Sequence, residues 1–334
     1  MDQKKEFIIK LIPSILYFGL CTIILLLDFN IWIEGSEEYP KFYIMPIVIS
    51  LILYIFLIVA LEIFKKGKSL ESLGSDVDFQ KTVYLFIIYL MVIWVPRQFM
   101  IWKFGITYEK LPLLYLIVTQ IILVEGLILK DFGLKKQNLL KNIILGCLIA
   151  LLDISIMTLV NIIIPLALEG NNAFSIIETF EIMQFITLAW QMLAVGVSEE
   201  LFFRGYFFTK MRRSGKSFWY ATIFTSIVFM IFHIPWLINA DLTLNLSISY
   251  VIWRVINTFP FAIVCCVLYE KTGSLAAPIV YHGFSNSLTS FIFLYVSPSS
   301  LFLAEILISS IAFFNLFFIA LIAPKLVKIL KIKK

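Results

Sequence analysis

Ten long apolar runs dominate this sequence and limit what it can fold into. Each is about as long as the roughly 20 residues that a helix needs to cross the hydrocarbon core of a bilayer. Inside that core every backbone polar group must be bonded within the protein, which leaves helices and closed barrels. The runs cover residues 7–27, 42–64, 82–102, 111–130, 142–167, 182–208, 218–237, 248–269, 274–295 and 300–323. We therefore predict an all-α fold, a polytopic membrane bundle of about ten transmembrane helices.

Composition agrees with a membrane protein. Hydrophobic residues make up 61% of the chain and charged residues only 15%, whereas a soluble domain is about 45–50% apolar. The net charge of +5 does not indicate a nucleic-acid partner, because the basic residues cluster at the ends of the apolar runs. The cysteines all lie in apolar runs, which is typical of small packing residues and not of a disulfide framework.

The distribution of lysines predicts an orientation in the membrane. Connections rich in Lys and Arg alternate with connections that are poor in both. By the positive-inside rule the basic connections face the cytoplasm, and so do both termini, as an even number of helices allows. The connection 103–110 is an exception, because it carries Lys103 and Lys110 on the predicted outer side.

The sixth apolar run contains three ionisable residues, Glu199, Glu200 and Arg204. At the bilayer centre each costs roughly 2.5–3.5 kcal/mol, so such residues usually face protein or water and have a function. Glu200 and Arg204 are four residues apart and share a helix face, so they can pair. Glu199 is rotated by about 100° from Glu200 on the helix. Its carboxylate is therefore available for another role.

The two histidines of the chain, His233 and His282, also lie in apolar runs, and Asn286 follows His282 by four residues on the same helix face. At 1.5 Å per residue, Glu199 and His282 lie roughly 16 Å from the predicted cytoplasmic end and His233 roughly 22 Å. The hydrocarbon core is roughly 30 Å thick. We therefore predict that three helices bring these side chains together near the middle of the bilayer.

Such a group of residues suits the hydrolysis of an amide. A carboxylate beside an imidazole can deprotonate a water molecule. A second imidazole and a carboxamide can donate hydrogen bonds to a developing oxyanion. Zinc is an alternative, because Glu199, His233 and His282 match the ligand types of a catalytic zinc site, although the HExxH spacing is absent.

Three short motifs carry a family resemblance. They are Glu199-Glu200-x-x-x-Arg204, Phe229-x-x-x-His233 and His282-x-x-x-Asn286. In this order they resemble the signatures of the CPBP (CAAX protease and bacteriocin-processing) family of intramembrane proteases, also called Abi or Rce1-like. The resemblance covers roughly residues 180–295 and no other part of the chain.

The resemblance implies a role for each matching residue. Glu199 would activate the water, and His233 would help to hold it. His282 and Asn286 would form the oxyanion site, while the Glu–Arg pair of the first motif would fix its geometry. Family members are called metalloproteases, and a metal-independent glutamate mechanism has also been proposed, so the resemblance leaves Zn²⁺ open as a cofactor.

The resemblance also implies an organisation and a function. By the resemblance, residues 181–295 would be the catalytic core. The apolar runs alone predict that 1–180 is a scaffold of transmembrane helices without an assigned role and that 296–334 is a last helix with a basic tail. The protein would be an endopeptidase that cleaves a membrane-associated protein or peptide within the lipid bilayer, in bacteriocin immunity or peptide maturation. The Lys-, Ile- and Phe-rich composition is typical of a low-GC bacterium, which predicts a plasma-membrane location.

Two other functions stay open at this point. The chain could be a non-catalytic membrane partner of a sensor kinase or a bacteriocin receptor. It could also be a transporter that uses Glu125, Asp153 and Glu199 as a proton path. Matching broken helices in two halves of the chain would favour a transporter, and the sequence does not contain them.

Overall fold

The computed structural model describes residues 69–70, 78–104, 110–169, 182–239, 241–287 and 301–334. Within these ranges the chain is a helical bundle without strands, and one isolated antiparallel bridge joins Ile238 to Leu244. The predicted helical class is confirmed. The apolar runs 7–27 and 42–64 and the end of the ninth run lie outside the described residues.

Eight helices follow one another in the described part of the chain. They are α1 (Phe79–Phe104), α2 (Lys110–Thr119), α3 (Leu139–Glu169), α4 (182–213), α5 (Phe218–Ile231), α6 (248–272), α7 (Ala276–Ser287) and α8 (Leu301–Ile329). Four helical stretches among the described residues are long and apolar enough to cross a membrane. They are Leu139–Leu168, Phe218–Leu237, Ile252–Thr272 and Ile306–Ile329. The chain is thus an integral membrane protein, while the total of ten helices and the cytoplasmic termini remain predictions.

Two π-helical segments interrupt the α-helical winding of α4. Its α-helical segments Ile182–Trp190, Val197–Glu200 and Thr209–Arg213 alternate with the π-helical segments Gln191–Gly196 and Leu201–Phe208. Glu199 and Glu200 thus lie in a single α-helical turn between two wider stretches. Insertions of π-helix into α-helices are rare and often mark functional sites.

Helix α4 is the centre of the bundle. Every residue from 197 to 208 is buried, so this length of α4 is enclosed on all sides. Phe86 of α1 packs among its phenylalanines, with ring centroids 4.0 Å from Phe207 and 5.4 Å from Phe202. On another side, a Cβ atom placed on Gly283 of α7 would lie 2.8 Å from the Cα of Met192. The glycine therefore lets the backbones of α7 and α4 touch beside the motif residues.

Several basic residues meet at one end of the bundle, which we call the lysine-rich end. Asn138, just before α3, donates to the backbone oxygen of Lys333 at 3.0 Å. Glu270 near the end of α6 pairs with Arg212 of α4 at 3.2 Å and with Lys334 at 3.7 Å. The start of α3 and the ends of α4, α6 and the chain therefore lie together, as the alternation of lysine-rich connections predicts for these segments.

Candidate active site

The Glu199 carboxylate is buried in the middle of α4 and its two oxygens have different surroundings. Oε1 pairs with the ammonium of Lys110 at the start of α2, and both side chains are at most 2% exposed. Oε2 has no hydrogen-bond partner in the described part of the protein. A buried acceptor without a partner is costly, so Oε2 is the natural place for a water molecule or a substrate group.

His282 on α7 lies against both glutamates of α4. Its Nδ1 is 2.8 Å from Oε1 of Glu200, and its Nε2 is 3.5 Å from Oε2 of Glu199. An ionised carboxylate can only accept, so Nδ1 carries the proton and donates to Glu200. In the neutral imidazole, Nε2 is then an acceptor and points toward Oε2 of Glu199. Two acceptors converge, and a water molecule has the two hydrogens that satisfy such a pair.

Glu200 joins the first motif to the third. Its Oε1 accepts from Nη1 of Arg204 at 3.0 Å, as the spacing of four residues predicts, and also from His282. Both side chains of the Glu200–Arg204 pair are completely buried or nearly so. Because breaking one partner of such a pair leaves an uncompensated charge, the pair holds α4 and the imidazole in a fixed relation.

His233 sits where α5 ends. Its Nδ1 lies 2.8 Å from the backbone oxygen of Phe229, so it donates to that carbonyl and leaves Nε2 as an acceptor. His233 and Glu199 are close enough to interact electrostatically. The motif phenylalanine is central here: the Phe229 ring lies 4.7 Å from the His233 ring and 6.2 Å from the His282 ring, and Arg204 lies over it at 4.6 Å.

Asn286 lies apart from the group around Glu199. Its side chain is exposed, and its Nδ2 donates to Oε1 of Gln191 on α4 at 3.1 Å. The structure therefore gathers Glu199, Glu200, Arg204 and His282 tightly, with His233 nearby. Asn286 lies one turn along α7 from His282, bonded to a different residue of α4.

Two basic side chains of the site were not among the sequence-predicted site residues. Lys110 is 1% exposed and bonds Glu199. Arg97 of α1 is also 1% exposed, and both cations lie over the Phe232 ring, at 4.2 Å for Arg97 and 4.6 Å for Lys110. The sequence did contain a signal for Lys110, because this lysine lies in the connection that breaks the alternation of lysine-rich and lysine-poor connections. Lys110 is not exposed in an outer loop but buried against Glu199.

The donor set does not fit a zinc site. In the described part of the chain no three His, Cys, Asp or Glu side chains are grouped as metal ligands. The ammonium of Lys110 occupies Oε1 of Glu199 and Nδ1 of His282 bonds Glu200, which leaves only Oε2 of Glu199 and Nε2 of His282 as donor atoms of these two side chains. A carboxylate usually orients a metal-ligating imidazole in this way. The positive charge of Lys110, however, would repel a metal ion bound to the same Glu199 carboxylate.

The other buried carboxylates predicted from the sequence belong to separate networks. Oε1 of Glu125 accepts from Lys210 at 2.6 Å, from Gln120 at 2.9 Å and from the Tyr206 hydroxyl. Asp153 of α3 accepts from Tyr281 at 2.8 Å and from Asn315 of α8 at 2.7 Å. Tyr281 directly precedes His282 and is rotated by about 100° from it, so the Asp153 network fixes α7 from a side other than the one that His282 turns to α4.

Comparison with known families matches part of the chain. Residues 181–288 match the sequence profile of the Rce1-like family, described as type II CAAX prenyl endopeptidase Rce1-like. The matched region contains all three motifs and ends just after Asn286, whereas Lys110 and Arg97 lie outside it. No curated protein matches the sequence.

Proposed function

We propose that this protein hydrolyses a peptide bond of a membrane-associated protein or peptide, with Glu199 as the general base, because residues 181–288 match the profile of the Rce1-like family of CAAX prenyl endopeptidases. One observation supports this most directly. Glu199 is a buried carboxylate with one oxygen bound by Lys110 and the other without a hydrogen-bond partner in the described residues.

The proposed water lies between Oε2 of Glu199 and Nε2 of His282. Both atoms are acceptors, they are 3.5 Å apart, and together they would take the two hydrogens of one water molecule. The lone pairs of that water would then point away from the protein and toward the scissile carbonyl. The Nδ1–H of His282 is held by Glu200, which is held in turn by Arg204, so the second glutamate has a positioning role.

Each step balances without a metal ion. The water oxygen attacks the carbonyl carbon, its proton passes to Oε2 of Glu199, and the carbonyl π electrons become an oxyanion. When the oxyanion collapses, the C–N bond breaks and the amine nitrogen takes the proton from Glu199. The products are a carboxylic acid, which ionises, and an amine, and Glu199 is a carboxylate again.

This assignment changes two of the roles that the resemblance implies. His282, not His233, is the imidazole beside the Glu199 carboxylate, so it is the better candidate to hold the water. His233 has Nε2 available and lies within electrostatic range of Glu199. We assign it to accepting a hydrogen bond from the N–H of the leaving amine, which orients that nitrogen for the proton that Glu199 delivers.

The test is cleavage by the purified protein in liposomes of phosphatidylethanolamine and phosphatidylglycerol. The substrates are single-span hydrophobic peptides and a prenylated peptide with a C-terminal CAAX sequence, and products are identified by mass spectrometry. We expect wild-type protein to cleave at least one peptide. We expect Glu199→Gln to lose cleavage by several orders of magnitude, because the amide cannot accept the proton of water.

The control is Glu270→Gln, which changes a carboxylate in the same way at the lysine-rich end, where it pairs with Arg212. This variant should cleave like wild-type protein. Unchanged cleavage by Glu199→Gln would contradict the general-base role. A wild-type protein that cleaves nothing, and whose Glu199→Gln variant still supports its cellular role, would favour the non-catalytic partner instead.

A further inference from the structure

The site has few N–H groups that are directed at a developing oxyanion. Each neutral imidazole has one N–H, and His282 donates its hydrogen to Glu200 while His233 donates its hydrogen to the backbone of Phe229. The Asn286 amide donates to Gln191 and is exposed. Arg204 donates to Glu200 through Nη1, and its Nε and Nη2 have no partner among the described residues, but the contact of its guanidinium is with Glu200 and not with Glu199. Lys110 is the cation that contacts the Glu199 carboxylate.

The movement of charge in the reaction makes that contact important. Before the water attacks, the negative charge is on Glu199 and Lys110 neutralises it. As the proton arrives at Oε2, Glu199 becomes neutral and the negative charge appears on the carbonyl oxygen. In the proposed arrangement the water and the ammonium are bound to the two oxygens of one carboxylate, so the new anion forms on the side of the site that holds Lys110. In a buried, water-poor site a fixed cation stabilises a developing negative charge far more strongly than it would in water.

We propose that Lys110 is a catalytic residue that stabilises the oxyanion of the tetrahedral intermediate. This inference rests on the proposed function. It places one of the catalytic groups on α2, outside the 181–288 region that carries the family motifs. The N-terminal half of the chain then completes the active site and is more than a scaffold. No new bond to Lys110 forms, and its proton stays on Nζ throughout.

The experiment compares Lys110→Met with wild-type protein in liposomes, using the peptide that wild-type protein cleaves. A phosphonate analogue of that peptide, in which a tetrahedral anion replaces the scissile amide, serves as the second probe. We expect Lys110→Met to lower kcat by roughly 10²–10³-fold, the effect of removing one oxyanion donor. The inhibition constant of the phosphonate should rise by a similar factor, while KM for the peptide changes little.

The matched control is Lys210→Met. Lys210 of α4 pairs with Glu125, just beyond α2, at 2.6 Å. The two variants therefore each remove a lysine–glutamate pair that links α2 or the residues after it to α4. Lys210→Met should lower thermal stability in detergent about as much as Lys110→Met does, and it should leave kcat and phosphonate inhibition unchanged. Lys110→Arg should recover part of kcat, because the positive charge is retained.

Three results would overturn the inference. The first is a Lys110→Met protein whose kcat equals that of wild type. The second is an equal loss of peptide and phosphonate affinity, since a structural role would weaken both. The third is a wild-type protein that cleaves no peptide, which would overturn the proposed function as well; the first two leave the proposed function intact.

Discussion

At the scale of single residues, Glu199 and Glu200 show how neighbours on a helix acquire different chemistry. Glu200 is bonded by Arg204 and His282 through one oxygen, so its position is fixed by two partners. Glu199 is bonded by Lys110 through one oxygen, and its other oxygen has no hydrogen-bond partner among the described residues. The difference of about 100° around the helix axis directs the two carboxylates toward different helices.

Gly283 is the residue on which the position of His282 depends most closely. A Cβ at this position would lie 2.8 Å from the Cα of Met192, and a backbone atom cannot move away cheaply. We expect Gly283→Ala to force α7 away from α4, to destabilise the protein by about 1–3 kcal/mol, which is typical of overpacking, and to reduce cleavage severely. Thermal unfolding in detergent and the liposome assay measure the two effects.

The control for this variant is Gly215→Ala. There the new Cβ would meet nothing within 4 Å, but the φ of +84° strains any residue with a side chain. This variant should lose stability without losing cleavage. If Gly283→Ala instead cleaves like wild-type protein, the close contact between α7 and α4 does not determine the position of His282.

At the scale of elements, α7 is held on several sides. Gly283 brings it against α4, while Tyr281 donates to Asp153 of α3, which also accepts from Asn315 of α8. The Phe261 ring of α6 stacks on Tyr281 at 5.1 Å and meets His282 edge-on at 5.0 Å. The short helix that carries His282 is therefore positioned directly by α3, α4 and α6, and α8 supports it through Asp153.

Tyr281→Phe tests whether the Asp153 network acts on the site. The substitution leaves a buried carboxylate oxygen without its donor, and such a loss costs about 1–3 kcal/mol. We expect it also to lower cleavage by up to roughly 10²-fold, which is the cost of displacing a catalytic group by about 1 Å. The liposome assay and thermal unfolding are the measurements.

Tyr269→Phe is the corresponding change on α6. The hydroxyls of Tyr269 and Thr209 are 2.8 Å apart, in a bond that joins α6 to α4 near the lysine-rich end. We expect Tyr269→Phe to reduce the stability of the protein and to leave cleavage unchanged. Equal effects of the two Tyr→Phe variants on cleavage would mean that Asp153 serves only the general stability of the bundle.

At the scale of the whole molecule, the two ends of the bundle differ in charge. Arg212, Glu270 and the C-terminal lysines meet at the lysine-rich end. From there α5 and its 3₁₀ extension run about 20 residues, or roughly 30 Å at 1.5 Å per residue, to the turn that contains Asp241 and Thr243. Helix α6 then returns to Glu270. The positive-inside rule predicts that the lysine-rich end faces the cytoplasm.

Labelling of single cysteines in intact cells measures this orientation. We expect Lys333→Cys to react with a membrane-impermeant maleimide only after the cells are permeabilised. Thr243→Cys, at an exposed position of the opposite turn, should react in intact cells. The described native cysteines are half-buried or buried and should react slowly with this reagent, as unsubstituted protein will show. The reverse pattern would contradict the predicted orientation.

The sequence by itself determined the properties that depend on nearby residues. Apolar runs of membrane-spanning length gave the helical class, and the spacing of Glu200 and Arg204 gave their ion pair, because both follow from the geometry of a single helix. Three short motifs in order were enough to indicate the family of residues 181–288. The connections rich in lysine likewise predicted which helix ends lie together.

Only the tertiary structure decided what each side chain of the site contacts. Lys110 is 89 residues from Glu199 in the chain, and no periodicity links a position on α2 to one on α4. For the same reason neither the helix face of Asn286 nor the family resemblance predicted that its partner would be Gln191 of α4. A helix pattern fixes which residues share a face, but the packing of neighbouring helices decides what that face meets. Here that packing placed the buried cation of Lys110 against the Glu199 carboxylate.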